Sequence, residues 1–169
     1  MIIIGGQFSS RSIKTSSKLS YRPTKARVRK SVFDSLIPYT FETVLDLFSG
    51  SGIMGFEAAS RGSAHVTFVE NNNKTVRLIK ENADLFKGPS FDIIKKDVFK
   101  YLDISKKFDL IIADPPYNKY ELSLMIEKIL NLLNLNGKFI LECSKSQKPI
   151  LGARVVDYGL SRILTWEKS

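Results

Sequence analysis

Two hydrophobic periods alternate along most of this chain. Five short apolar runs read as strands: TVLDLF at 43–48, HVTFVE at 65–70, FDIIKKD at 91–97, FDLIIAD at 108–114 and KFILEC at 138–143. Between them lie stretches with the helical 3.6-residue period. IMGFEAASRG at 53–62 predicts a helix closed by Gly62, and NKTVRLIKENADLF at 73–86 puts Val76, Leu78, Ile79, Ala83 and Phe86 on one stripe. VFKYL at 98–102 predicts a short helix, and LSLMIEKILNLL at 122–133 a longer one ahead of an Asn136-Gly137 turn. ARVVDYG and SRILTWEK, around Gly159-Leu160, predict a closing pair of strands. Strands alternating with helices require a mostly parallel sheet covered on both faces. The expected fold is therefore α/β and Rossmann-like: seven strands, helices on both sides and a C-terminal β-hairpin.

The first forty residues break this rhythm. Ile2–Ile4 with Gly5-Gly6 predict a short strand ending in a turn, and the Ser-rich stretch 9–20 a polar, mobile connection. After Arg22-Pro23-Thr24, the spacing of Val28, Val32 and Leu36, with Phe33 alongside, predicts a helix. Thr24 is its expected N-cap and Pro38 its stop, with Lys25, Arg29 and Lys30 on the polar side. Two units are expected: a basic extension over 1–40 and a catalytic domain over 41–169.

Charge sharpens that division. Residues 1–40 hold eight Lys and Arg against one acid, Asp34, and so account for seven of the nine net positive charges. Such asymmetry predicts a polyanionic partner met by one end of the molecule. The lone Cys143 excludes a disulfide framework and a cysteine zinc site. With His65 as the single histidine, His-metal clusters and Ser-His-Asp catalysis are also excluded, and His65 is read as a structural residue at a strand start. The opening MIII is too short for a signal h-region, and no apolar run reaches spanning length, so no membrane is expected and the chain reads as cytoplasmic. No metal is expected, and a monomer is the default.

In parallel sheets, ligands bind beyond the carboxyl ends of the strands, which directs attention to two segments. DLFSGSGIMG, Asp46–Gly55, is a strand, a glycine-rich turn and a helix start. Gly50 and Gly52 permit close approach of a ligand, and Glu70 ends the next strand where ribose hydroxyls could be held. Gly50, Gly52 and Gly55 also satisfy the G-x-G-x-x-G dinucleotide pattern. Asp46, however, would repel a pyrophosphate and suits a ligand with an amino group and a positive centre. S-adenosylmethionine has both, together with a ribose. Asp97 is placed either to meet an adenine amine or to cap the helix that follows.

The second segment is DPPY, Asp114 to Tyr117. Methylating an exocyclic amine of a base is difficult because its lone pair is conjugated into the ring. Asp114 supplies a carboxylate to grip the amine hydrogens, and the Pro115 carbonyl a second acceptor. Pro115 and Pro116 fix the step, since each locks its own φ. Tyr117 offers a face on which a flipped base can stack.

DLFSGSG paired with DPPY resembles the amino-methyltransferases of nucleic-acid bases. IIIGGQF, then Arg11, RPTKARVRKSVFDSL, the glycine-rich segment, VE and DPPY follow in order over nearly the whole chain. That succession resembles the RsmD-type 16S ribosomal RNA guanine-N2 methyltransferases of bacteria, RPT…R…F being its most specific part. The resemblance implies that Asp46, Phe48, Ser49, Gly50, Gly52, Glu70, Asn71, Asp97 and Val98 line an S-adenosylmethionine pocket. It implies that Asp114, Pro115, Pro116 and Tyr117 form the catalytic step. It places Arg11, Arg22, Thr24, Lys25 and Arg29 against 16S ribosomal RNA, free or within the small ribosomal subunit, and implies the guanine at position 966 as target. Ser9-Ser10 stands where the family usually has Arg-Gly, and Lys30 where it usually has Glu.

Three other readings compete. A DNA or RNA adenine-N6 or cytosine-N4 methyltransferase shares the chemistry, but the chain shows no separate target-recognition domain. A nicotinamide dehydrogenase would explain the glycines, but lacks an evident catalytic histidine and leaves DPPY unused. A non-catalytic ribosome-assembly protein would have no need of Asp46, Glu70 and DPPY together.

Overall fold

The computed structural model describes residues 1–15, 26–116, 121–148, 150 and 152–169. Its frame is one seven-stranded sheet in the order β3-β2-β1-β4-β5-β7-β6. Strands β1 (Thr43–Leu47), β2 (His65–Glu70), β3 (Ser90–Lys95), β4 (Phe108–Ala113) and β5 (Leu133–Ser144) run parallel. β7 (Ser161–Glu167) enters antiparallel between β5 and β6 (Arg154–Tyr158). This is the α/β architecture the strand–helix alternation predicts. From β1 the chain moves outward to β2 and β3, then returns to lay β4 on the other side. The β1/β4 junction is thus the switch point, where a crevice opens at the strand ends.

Strand alternation feeds two apolar layers. Val44, Val66, Phe68, Leu110, Ile112, Ile140 and Ile163 point to one face, under α1 (Ala26–Asp34), α2 (Ile53–Ser60) and α3 (Asn73–Ala83). Leu45, Leu47, Val69, Ile111, Phe139 and Leu141 point to the other, under α4 (Val98–Tyr101) and α5 (Leu122–Asn131). On the first face Phe56 stacks on Phe86 with ring centroids 4.7 Å apart, and Phe68 and Phe91 close around them. Aromatic pairs of this kind add about 0.5–1.5 kcal/mol beyond their area burial.

Several boundaries differ from the sequence expectation. α3 ends at Ala83, and Leu85 and Phe86 reach the core from the turn that follows. Asn136-Gly137 is not a turn ahead of β5 but an irregularity inside it: the partners of Phe108 and Leu110 are Leu133 and Lys138, and Asn136 has φ 61°. The segment also folds back on the C-terminal end, with Asn136 N–H donating to the Lys168 carbonyl at 2.7 Å. That long-range bond is invisible to a local pattern. Residues 9–15 are not a loose connection. Ile2 and Ser12 form an antiparallel bridge, Ile13 is buried, and Asn82 clamps the Lys14 backbone by two bonds of 2.8 and 3.0 Å.

This N-terminal arm lies on α2. Gln7 and Phe8 N–H donate to the Ser60 carbonyl and hydroxyl, and Ser60 Oγ donates to the Gly5 carbonyl at 2.6 Å. Gly6 is required at this contact: a Cβ would sit 1.8 Å from the Ser60 oxygen, and its φ is +79°. Ile3, Ile13 and the α1 residues Val28, Val32 and Phe33 belong to the same core as β1. His65 lies at the far end of the sheet, bonded to Ser90 and Asp92, a structural role in keeping with its place at a strand start.

Candidate methyl-transfer site

At the switch point the chain turns sharply out of β1. Phe48 leaves the strand at φ 56°, followed by Gly50 at 51° and Gly52 at 77°. These left-handed steps are routine for glycine but costly for phenylalanine, the sort of backbone that persists where a site over-determines it. Ser49 braces the turn: its hydroxyl donates to the Asp46 carbonyl at 2.6 Å and accepts from Val69 N–H at 3.0 Å. Its side chain is therefore spent inside the turn, holding the end of β1 to β2. Gly52 is the left-handed N-cap of α2, and a Cβ there would press Phe56 at 2.8 Å.

Asp46 is 3% exposed, and its Oδ2 accepts from Gly55 N–H at 2.9 Å. Burial holds its pKa well above the usual carboxylate range; the Gly55 bond opposes this, while the charges of Asp114 and Glu70 add to it. Glu70 is tied at both oxygens. Oε2 accepts from Gly50 N–H at 3.0 Å, and Oε1 from Asn71 and Asn72 N–H at 2.9 Å each. It thus fastens the glycine turn to the β2 end and keeps lone pairs for further donors. Asn71 is exposed beside it. Asp97 caps α4 through Lys100 N–H at 3.3 Å, and Val98 is buried in the second layer behind it.

Asp114 and Pro115 follow β4 directly, and the register sets Ala113 beside Leu47. Asp114 is half-buried, Pro115 buried and Pro116 exposed. The site thus gathers carboxylates from the ends of β1, β2 and β4, and their mutual repulsion adds to the burial that favours the protonated form of Asp46. The turn and its anionic lining fit a ligand with positive charge at the Asp46 end and hydroxyl donors at Glu70. They do not suit a pyrophosphate. Tyr117 lies outside the described residues, as do Arg22, Thr24 and Lys25.

One expected role is corrected. Arg29 is not on the polar side of α1 but is 3% exposed. Its position, four residues before Phe33 and next to Val28, puts it on the buried stripe. Nη2 donates to the Ile2 carbonyl at 2.7 Å, and Nε lies 3.6 Å from Glu57 Oε2. Arg29 therefore braces the arm from inside and cannot face RNA. The sequence reading missed Glu57, which is fully buried and accepts from Ile4 and Gly5 N–H and from Arg61 Nε. Its signal was an acid at a core position of an otherwise apolar helix. Arg11 is exposed as expected, its guanidinium 5.0 Å over the Phe8 ring and 5.8 Å over Phe86. Among the described residues no cluster of three or more His, Cys, Asp or Glu could hold a metal ion, and no helix is long and apolar enough to cross a membrane.

Known proteins resemble this chain over most of its length. The family model described as "Conserved hypothetical protein 95" matches residues 1–157. The ribosomal RNA small subunit methyltransferase D of Buchnera aphidicola (subsp. Acyrthosiphon pisum) is 33% identical over 82% of this chain and 71% of its own. The protein of the same name from Haemophilus influenzae is 32% identical, covering 88% and 81%. Among solved structures, a hypothetical protein of Thermus thermophilus, TTHA0928, superposes with a TM-score of 0.84 at 28% identity, over 99% of both chains.

Proposed function

The chain belongs to the RsmD-type methyltransferase family, and on that premise we propose that it methylates the exocyclic N2 amine of a guanine in small-subunit ribosomal RNA, with S-adenosylmethionine as donor. The observation that carries this reading is the junction of β1 and β4, where the register sets Ala113, followed by Asp114, beside Leu47, preceded by the buried Asp46. That arrangement supports a donor pocket and an acceptor step in one crevice.

S-adenosylmethionine supplies a methyl group on a sulfonium, a leaving group that needs no acid. Asp46 would face its cationic end, Glu70 its ribose and Asp97 its adenine, against the turn of Phe48, Ser49, Gly50 and Gly52. Asp114 and the Pro115 carbonyl accept hydrogen bonds from the target amine and draw its lone pair out of conjugation. Tyr117 stacks on the base. The protein's main contribution is to hold the amine in line, which can supply several kcal/mol of the barrier, about 7–11 in the best-oriented cases. The basic arm, with Arg11, Arg22, Thr24 and Lys25, meets RNA phosphates.

The test uses labelled S-adenosylmethionine with undermodified 16S ribosomal RNA, free and in assembled small subunits, followed by mapping of the product. Label on guanine N2, at the position 966 that the family resemblance points to, is expected. Label on adenine or on DNA would overturn the assignment.

A further inference from the structure

A guanine held by its amine presents a second donor. N1–H lies beside N2 on the Watson–Crick edge, and a base drawn into an enclosed site is read on that edge. In this reading Asp114 and the Pro115 carbonyl are aimed at the two amine hydrogens. N1–H then needs an acceptor of its own, because a buried donor without one is strongly disfavoured.

The strand ends supply the candidates, and position relative to Asp114 separates them. Asp46 holds Gly55 N–H, and Glu70 holds Gly50, Asn71 and Asn72. Asp97 caps α4. Asp157, at the end of β6, is gripped by the Arg162 guanidinium at 2.8 and 3.0 Å. On the acceptor side of the crevice stands Glu142 of β5. Ala113 is level with Leu141, so the next step brings Asp114 level with Glu142. Leu141 and Cys143 belong to the layer under α4 and α5, whereas Ile140 and the Glu142 partner Ile163 belong to the other. Glu142 therefore sits on the same face of the sheet as Asp46, and it is half-buried. Burial pushes the neighbouring Cys143 thiol up to about 11, and the charges of both Glu142 and Asp114 contribute.

We propose that Glu142 selects the base, accepting N1–H of the target guanine while Asp114 and the Pro115 carbonyl hold its amine. This deepens the guanine-amine reading and rests on it. A carboxylate has about four acceptor sites, so Glu142 can serve a protein partner and the base together. Adenine and cytosine turn a ring-nitrogen lone pair, not an N–H, toward that carboxylate and are repelled.

2-Aminopurine keeps the amine at C2 but has a lone pair at N1 and no O6, so the change in preference on altering Glu142, rather than the wild-type preference alone, reads the N1 contact. Methyl transfer is measured on an oligoribonucleotide spanning the mapped site, with guanine or 2-aminopurine at the target. The full-length wild type is compared with E142Q and E142A. The wild type is expected to prefer guanine by about tenfold or more in kcat/KM. E142A should bring the two substrates close to parity, mainly by losing the guanine rate, whereas E142Q, whose amide oxygen can still accept, should retain part of the preference. A wild type that does not discriminate, or an E142A variant that slows both substrates by the same factor, overturns the proposal. A wild type inert on the guanine substrate would instead overturn the guanine-amine reading.

Discussion

At the scale of single residues, Asp46 is costly where it stands. Its folded pKa is raised above the unfolded value by burial, so the folded state binds a proton that the unfolded state releases first. That contribution to stability is fully present below the unfolded pKa and is lost as pH rises toward the folded one. A cationic donor reverses the balance by favouring the ionised form. S-adenosylmethionine should therefore bind more tightly as pH rises through the Asp46 titration. Asp46→Asn keeps an acceptor for Gly55 N–H. It should weaken donor binding roughly ten- to hundredfold and flatten the pH profile, while the ligand-free variant melts higher than wild type at pH 8. Calorimetric binding and thermal melts across pH check both signs. Asp114→Ala should abolish transfer with donor affinity within a few-fold of wild type. If donor binding is lost as well, the division between the two carboxylates is wrong.

At the scale of elements, α2 joins the two halves of the site. It begins at the glycine turn, and in its second half Glu57 and Ser60 hold the arm. The arm also returns to the turn, where Ser51 Oγ lies 3.5 Å from Met1 Sδ. Glu57 is the pivot, taking two arm amides, Arg61 and the buried Arg29. Removing one member of a buried ion pair leaves the other uncompensated, at a cost of about 3–5 kcal/mol. Glu57→Ala should lower stability by that order in denaturant titration, with the arm becoming protease-sensitive before the sheet. Gly6→Ala should release the arm with a smaller global loss, since its clash is with the Ser60–Arg61 peptide at the end of α2.

At the scale of the whole molecule, seven of the nine net positive charges fall in the first forty residues of the chain. RNA affinity should therefore fall steeply with salt, each phosphate neutralised contributing about 0.7–0.9 to the log–log slope. Arg11→Glu with Arg22→Glu should reduce that slope by roughly one to two. Arg29→Met should leave the slope unchanged, because Arg29 is spent inside the fold. Titrations of binding against KCl distinguish these outcomes. A wild-type slope in the Arg11/Arg22 variant would mean that the basic segment is merely solvated.

The sequence by itself determined the order of the elements and the mostly parallel sheet. Hydrophobic period is a local quantity, and HVTFVE at 65–70 matches β2 residue for residue. The glycine turn and the acid ending β1 were equally legible, because backbone that needs left-handed φ must be written with particular residues. What only the tertiary structure decided was how charged side chains are used. Arg29 and Arg11 look alike in a list of basic residues. One is buried under α2 and the other rests on two phenyl rings, because the arm folds back across 50 residues of chain to bring Ile2 and Gly5 to α1 and Glu57. The same holds for Glu142, whose register against Ala113 and Asp114 is set by the β4–β5 pairing and its irregularity at Asn136. A pairing register depends on contacts far apart in sequence, and no local pattern carries it.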